Sequence, residues 1–296
     1  MSRQCSRPTT HDPRPTTHSG WHVSHRDVSE SGDRPRFVLH EINRVEAARR
    51  APGALAVLPV GATEQHGPHL PLGTDFLIVE HVTRAAAQEA RGSIDVLVAP
   101  TFQTGSSHHH LPFGGTISLS TERYYGALRD MTESLIQSGF RRIFIVNGHG
   151  GNQELIELVV RDLALSHACN LAAASYWNLA QEPLTDRAFD LHERLPGHAG
   201  AFETSLIMAL RPELVANPLP HRTAEELART TAPPAPFRAE RHGFWQSIDG
   251  YTDSPDQASA ERGQRLLEII VAAVAAELVR FARLPLAEGY RIMGDR

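Results

Sequence analysis

Glu64, His66 and Asp75 stand in one short stretch, Gly61-Ala-Thr-Glu-Gln-His-Gly-Pro-His-Leu-Pro-Leu-Gly-Thr-Asp75, directly after the apolar run Ala54 to Val60. Two carboxylates and an imidazole suit a hard or borderline divalent metal, and the end of a buried strand is where α/β enzymes place their chemistry. Glu64 and His66, two apart in an extended segment, project to the same side. A second polar cluster, Asn147-Gly-His149-Gly-Gly-Asn152, follows the apolar run Ile143 to Val146. It lacks the Lys-Ser/Thr of a P-loop and the spacing of a dinucleotide fingerprint, so its glycines are read as allowing close backbone approach, with His149 reaching the site as a ligand.

Two further segments carry chemistry-bearing residues. Gly105-Ser-Ser107-His-His-His110-Leu-Pro-Phe-Gly-Gly-Thr116 has too many glycines and histidines for a regular element, and His110 and Ser107 are expected to face a substrate. His198-Ala-Gly-Ala-Phe-Glu203-Thr-Ser opens a helical run to Leu210, which would fix both His198 and Glu203. Trp177 and Trp245 are candidates for a pocket wall. Arg194, in the irregular stretch Asn178 to Gly200, is placed to close over this site or a neighbour's.

Short β-type runs alternate with amphipathic helical segments, the signature of an α/β fold with a mostly parallel sheet. The strands are expected at Ala54 to Val60, Ile94 to Ala99, Ile143 to Val146 and Leu171 to Tyr176. Helices are expected at Phe76 to Arg91, with Asp75 at its start, and at Thr121 to Ser138, capped by Ser120 and ended by Gly139. The second of these should bury Tyr125, Leu128, Met131 and Leu135. A helix at Gln153 to Ser166 has Asn152 as its expected cap, and a long one at Asp256 to Arg283 should face inward through Leu266, Ile270, Val274 and Leu278. Thr230 to Pro236 reads as a loop.

The composition is that of a soluble globular protein: 296 residues, 41% hydrophobic and 21% charged. A net charge of −5 and no dense Lys/Arg cluster give no footprint for nucleic acid, which leaves a small-molecule substrate as the expected partner. Even Leu266 to Leu278 is too short, and too interrupted by Glu268 and Glu277, to span a bilayer. Cys5 and Cys169 imply no disulfide framework, so a reducing, cytoplasmic setting is expected. Residues 1–35, rich in Arg, Ser, Thr, His and Pro, are read as a flexible tail, and 36–296 as a single catalytic domain.

Together Gly61-Ala-Thr-Glu-Gln-His-Gly, His69-Leu-Pro, Thr74-Asp75, Gly115-Thr-Ile-Ser-Leu, Asn147-Gly-His-Gly-Gly-Asn and His198-Ala-Gly-Ala-Phe-Glu-Thr-Ser resemble the creatininase family of metal-dependent amidohydrolases, over roughly residues 36 to 283. The resemblance implies a three-layer α/β/α fold carrying two divalent metals at the carboxyl ends of parallel strands. Carried over by motif, Asp75 bridges the metals, Glu64 and His149 complete one site, and His66 with Glu203 completes the other. Zn is the favoured metal, with Mn and Fe compatible with the same ligands. Such a pair acidifies a water toward about pH 7 for attack on a carbonyl. His198 would then carry the proton to the leaving nitrogen, while Asn147 and Asn152 orient the groups that hold the metals.

Two departures bear on substrate. Creatinine-hydrolysing members take a metal ligand from a glutamate two residues after the turn histidine, where this chain has Gly151, so Glu203 gains weight. They also place a tryptophan before the histidine matching His198, where this chain has Arg194 and Pro196-Gly197. The expected activity is therefore hydrolysis of a small-molecule carbon-nitrogen bond other than creatinine's. The alternatives are ring opening of a cyclic keto-polyol or lactone, deformylation, small-peptide trimming, and a metal-binding scaffold without catalysis. The resemblance also implies a homo-oligomer, commonly a hexamer.

Overall fold

The computed structural model describes residues 36–185, 195–230, 237 and 239–286. The expected tail, Arg194 and most of the Thr230 to Pro236 loop lie outside the described residues.

Four strands form one parallel sheet in the order β2-β1-β3-β4: β1 (Leu55–Val60), β2 (Val96–Val98), β3 (Arg142–Asn147) and β4 (Asn170–Ser175). The strand candidates were thus placed correctly, with ends shifted by one or two residues. Every β1 residue is buried, as expected of a strand covered on both faces. Its side chains alternate: Leu55 and Val57 enter one core, while Ala56, Leu58 and Val60 enter the other. Strand β3 divides the same way, with Phe144 and Val146 on one side and Ile143 and Ile145 on the other.

Pro59 sits inside this central strand, where a missing N–H normally breaks a ladder. Residues 55, 57 and 59 bond toward β2, where Ala99 N–H donates to the Val57 carbonyl and Phe102 N–H to that of Pro59. Strand β2 has already ended at Val98, so the absent donor falls where the regular ladder has run out.

Three helices cover one face: α1 (Thr74–Ala90), a helix that follows the sheet in sequence (Ala201–Leu210), and the C-terminal one (Ala260–Ala282). The last buries Leu266, Ile270, Val274 and Leu278 completely, as its spacing predicted. Each such side chain contributes about 1.5–3 kcal/mol. The opposite face is covered by α2 (Thr121–Gln137) and α3 (Gln153–Ala164), which completes a three-layer α/β/α arrangement. In chain order Ala201–Leu210 is α4 and Ala260–Ala282 is α5.

Some local expectations are corrected. The buried stripe of α2 is Tyr124, Leu128, Thr132 and Leu135. Tyr125 and Met131 are only partly buried, and the Tyr125 hydroxyl turns outward to donate to Asp162 at 2.7 Å. Ser120 does cap α2, and Gly139 beyond its end has φ +99°. Asn152 precedes α3 but makes no side-chain cap; its amide is used in the site instead. The His-rich loop contains a 3-10 helix at His108–Phe113, and the stretch read as irregular after β4 begins with short helices at Tyr176–Leu179 and Gln181–Thr185.

Candidate metal centre

Parallel pairing puts the carboxyl ends of the strands along one edge, and the register aligns them: Val60 lies opposite Asn147, and Asn147 opposite Ser175. The chain leaving β1 carries Glu64 and His66, that leaving β3 carries His149, and that leaving β4 carries Trp177. Asp75 lies in the first turn of α1 and Glu203 in that of α4, so two helix starts deliver carboxylates to the same edge.

All five expected ligands are nearly or fully buried, with exposures from 0% at Glu64 and His66 to 4% at Glu203. Asp75 is central. Its Oδ1 lies 3.0 Å from His66 Nε2, and its Oδ2 lies 3.0 Å from His149 Nδ1. Glu203 Oε2 is 3.9 Å from His66 Nε2, and Glu64 Oε1 is 3.3 Å from His149 Nδ1. Two ligand-type triads result, Glu64-Asp75-His149 and His66-Asp75-Glu203, each with its ligand atoms within 4.8 Å of one another.

The outer nitrogens of both histidines are held. His66 Nδ1 donates to the Glu64 carbonyl oxygen at 3.1 Å, and His149 Nε2 faces the Ser106 carbonyl at 3.2 Å and Ser107 Oγ at 3.1 Å. This is the usual way a protein aims a ligating imidazole. Ser107, fully buried behind His149, thus touches the imidazole and is not among the residues lining the cavity, contrary to its expected substrate role. Asn147 accepts from His149 N–H at 3.1 Å and donates to the His149 carbonyl at 2.7 Å. Asn152 donates to the Gly61 carbonyl at 3.2 Å and accepts from Ser106 N–H at 3.0 Å. The two asparagines therefore tie the β1 exit, the His-rich segment and the Gly-rich turn together.

Gly151 has a steric reason. A Cβ there would lie 2.5 Å from His149 Nε2 and closer still to the Ser106 carbonyl oxygen, with His109 beyond at 3.2 Å. A side chain at this position would require the Ser106 backbone or the His149 ring to shift.

The buried histidines and carboxylates of the cluster shift one another strongly. Burial raises the Glu64 carboxyl, yet the His149, His110 and His198 rings outweigh it and hold Glu64 well below the usual range. Burial lowers His66, but Asp75, Glu203 and Glu64 overcome it and lift His66 to about 10. His149 is likewise held well above its ordinary value by Glu64 and Asp75 against burial. Burial pushes Glu203 up to about 8, with His66 opposing and Asp75 adding. His198 is driven well below its ordinary value by burial and by His66 and His110. Among the described residues, both Glu64 oxygens and Asp75 Oδ2 are buried without a hydrogen-bond partner. Buried carboxylate oxygens are costly to leave so, and a divalent ion in the Glu64-Asp75-His149 triad would satisfy them. The donor set fits the metals implied by sequence.

A cavity of about 730 Å³ opens onto this cluster. Its lining includes His109, His110, Trp177, His198, Trp245 and Glu154. His110 and Trp177 thus both line the cavity. Trp245 forms a wall, with ring centroids 4.6 Å from His110 and 5.2 Å from His198. Sequence reasoning passed over Gln65, whose side chain contacts His110, His198 and Gly250. Its position between Glu64 and His66 was the available signal.

Comparison with known proteins agrees with the geometry. The family model for creatininase, creatinine amidohydrolase, matches residues 40–278. Creatinine amidohydrolase of Pseudomonas putida is 31% identical over 249 residues, covering 78% of this chain and 90% of that protein. The mycofactocin precursor peptide peptidase of Mycobacterium ulcerans (strain Agy99) is 31% identical over 237 residues, covering 77% and 86%. Among solved structures, creatininase Mn matches at 28% identity and TM-score 0.70 over 84% of this chain and 100% of its own. A variant creatininase of Zn-Zn type matches at 28% and 0.67 over 83% and 98%. The chain belongs to the creatininase family.

Proposed function

We propose that this chain is a binuclear metal-dependent hydrolase of a carbon-nitrogen bond in a small molecule. The observation that carries the reading is Asp75, whose two carboxylate oxygens each face a different His/Glu pair. Two divalent ions bound there would supply Lewis acidity toward a carbonyl oxygen and would lower the pKa of a bound water toward about 7. Zn or Mn fits the mixed carboxylate and imidazole donors.

The protein's own groups then have distinct work. Glu64, Asp75 and His149 would hold one ion, and His66, Asp75 and Glu203 the other. His198 is neutral near pH 7, because burial and the neighbouring rings disfavour its cation. Its Nδ1 lies 3.6 Å from Glu64 Oε1, at the mouth of the cluster, where it can take a proton and pass it to the departing nitrogen. Trp177 and Trp245 limit the entry of water beside the scissile bond.

Creatinine is not the favoured substrate in this reading, since Gly151 stands where creatinine-hydrolysing relatives have a ligating glutamate, and Arg194 with Pro196-Gly197 where they have a tryptophan. The substrate class proposed is a small amide, cyclic or the end of a short peptide. The peptidase relative supports the peptide form of this reading.

The test is metal analysis of the purified chain together with hydrolysis of a panel of lactams, N-formyl compounds, short peptides and lactones. Two ions per chain with amide cleavage is expected. Two ions with no cleavage across the panel would instead support a metal-binding scaffold. His198→Ala should lower turnover with metal content unchanged, and unchanged turnover removes His198 from the mechanism.

A further inference from the structure

Gln65 stands between two expected ligands, and its amide orientation is fixed at both ends. Its Oε1 accepts from Gly67 N–H at 2.9 Å, and its Nε2 donates to the Gly250 carbonyl at 2.8 Å. A flipped amide would set oxygen against oxygen and N–H against N–H. One of the two Nε2 hydrogens is therefore committed to Gly250. The other meets His110 Nδ1 at 2.8 Å, which makes that nitrogen an acceptor and puts the ring's hydrogen on Nε2.

His198 Nε2 lies 3.0 Å from the same amide nitrogen and 3.0 Å from the Gln65 backbone carbonyl. Both amide hydrogens are already used. The arrangement that satisfies every group has His198 Nε2–H donating to the carbonyl, which leaves its Nδ1 bare. The two inner nitrogens, His110 Nε2 and His198 Nδ1, each lie 3.6 Å from Glu64 Oε1. The rings are stacked, with centroids 4.3 Å apart and planes inclined by 15°. The same tautomer thus presents an N–H from one ring and a lone pair from the other to a single region of the cavity.

We propose that Gln65 is a positioning residue that locks His110 and His198 as Nε2–H tautomers in opposed orientations, so that His110 offers a hydrogen-bond donor and His198 an acceptor to one substrate amide. An amide matches the pair, because its carbonyl accepts and its N–H donates; a lactone has no N–H to give. This substrate clause rests on the hydrolase reading above, whereas the tautomers do not. One consequence concerns metals: two further groups, Glu64-His66-His198 and Glu64-His109-His110, also bring ligand-type atoms together, but in the second His110 Nε2 carries a hydrogen and is not a ligand in this state.

The test is long-range proton-nitrogen correlation NMR on the full chain labelled with 15N-histidine, the two rings being identified from His110→Gln and His198→Gln samples. The expected pattern in the metal-free protein at neutral pH is Nε2–H on both rings. Gln65→Glu replaces the donor facing His110 Nδ1 with an acceptor, so His110 should gain a hydrogen at Nδ1 while the circular dichroism spectrum is retained. Wild-type protein with His110 or His198 protonated at Nδ1 overturns the proposal, as does an unchanged His110 pattern in folded Gln65→Glu. Should that variant fail to fold, the wild-type spectrum alone decides. Correct tautomers in a chain that cleaves no amide would sink the hydrolase reading and leave the role of Gln65 standing.

Discussion

Loading the site with two divalent ions at pH 7 should displace close to three protons. In the metal-free fold His66 keeps its proton up to about 10, since Asp75, Glu203 and Glu64 overcome the burial that would lower it. His149 is held protonated in the same way by Glu64 and Asp75. Burial, opposed by His66 and aided by Asp75, lifts Glu203 to about 8, so about nine in ten Glu203 carboxyls are neutral at pH 7. Each of these groups must give up its proton before its lone pair can reach a cation. Deprotonating His66 alone costs about 4 kcal/mol at pH 7, three pH units at roughly 1.4 kcal/mol each. Raising the pH removes protons in advance, so metal binding tightens with pH. For the pair of ions together the gain approaches a thousandfold per unit below pH 8, becomes smaller as Glu203 ionises, and shrinks again as the pH passes His66's value of about 10. Titration calorimetry with Zn²⁺ or Mn²⁺ in buffers of different ionisation enthalpy reads the proton count directly. Release of fewer than one proton, or an affinity flat from pH 6.5 to 8, would refute the charge arrangement derived for the cluster.

Three substitutions probe the same arrangement. Glu203→Gln can still accept from Ala199 N–H, the bond Glu203 Oε2 makes at 2.6 Å, but it withdraws a charged ligand from one triad only; metal analysis should fall from two tightly held ions per chain to one. Asp75→Asn affects both triads and should weaken each ion by more than the roughly 10–100-fold that loss of an outer partner costs, which equilibrium dialysis would show as loss of both together. Gly151→Ala forces a Cβ against His149 and the Ser106 carbonyl, so thermal or urea unfolding should report a loss of about 1–3 kcal/mol. A variant as stable as the parent would mean that the Gly-rich turn relaxes, and that the steric account of Gly151 is wrong.

Much of this architecture was legible because parallel βα units write themselves strongly into sequence. The four apolar runs and the long stripe through Leu266, Ile270, Val274 and Leu278 are signals of burial on a fixed period, and tertiary packing only adjusts their ends. What periodicity could not settle was the neighbouring choice between Tyr124 and Tyr125, because they precede Leu128 by four and three residues and both spacings share a helix face. The Asp162 carboxylate that draws Tyr125 outward comes from α3, 37 residues away. Ser107 illustrates the same limit at the site. A serine beside three histidines reads as a substrate contact, but the ring behind which it packs arrives from a different strand end.

Gln65 was hidden for a further reason, which also explains how so polar a site is stable inside a fold. An amide has no charge, so ligand spacing draws the eye to Glu64 and His66 on either side. Yet the buried polar groups persist only because each strand-end segment is tied to the next. Asn147 joins the Gly-rich turn to Ser175 at the end of β4, Asn152 joins that turn to the β1 exit, and Gln65 joins the β1 exit to His110, His198 and Gly250. Buried networks of this kind are favourable when every member is satisfied and costly when one is not. Both oxygens of Glu64, Oδ2 of Asp75 and Nε2 of His110 are left without a hydrogen bond, and the three carboxylate atoms lie in the triad that Glu64 and Asp75 share with His149. The amides thus hold the strand-end segments together and leave those carboxylate oxygens available to a cation.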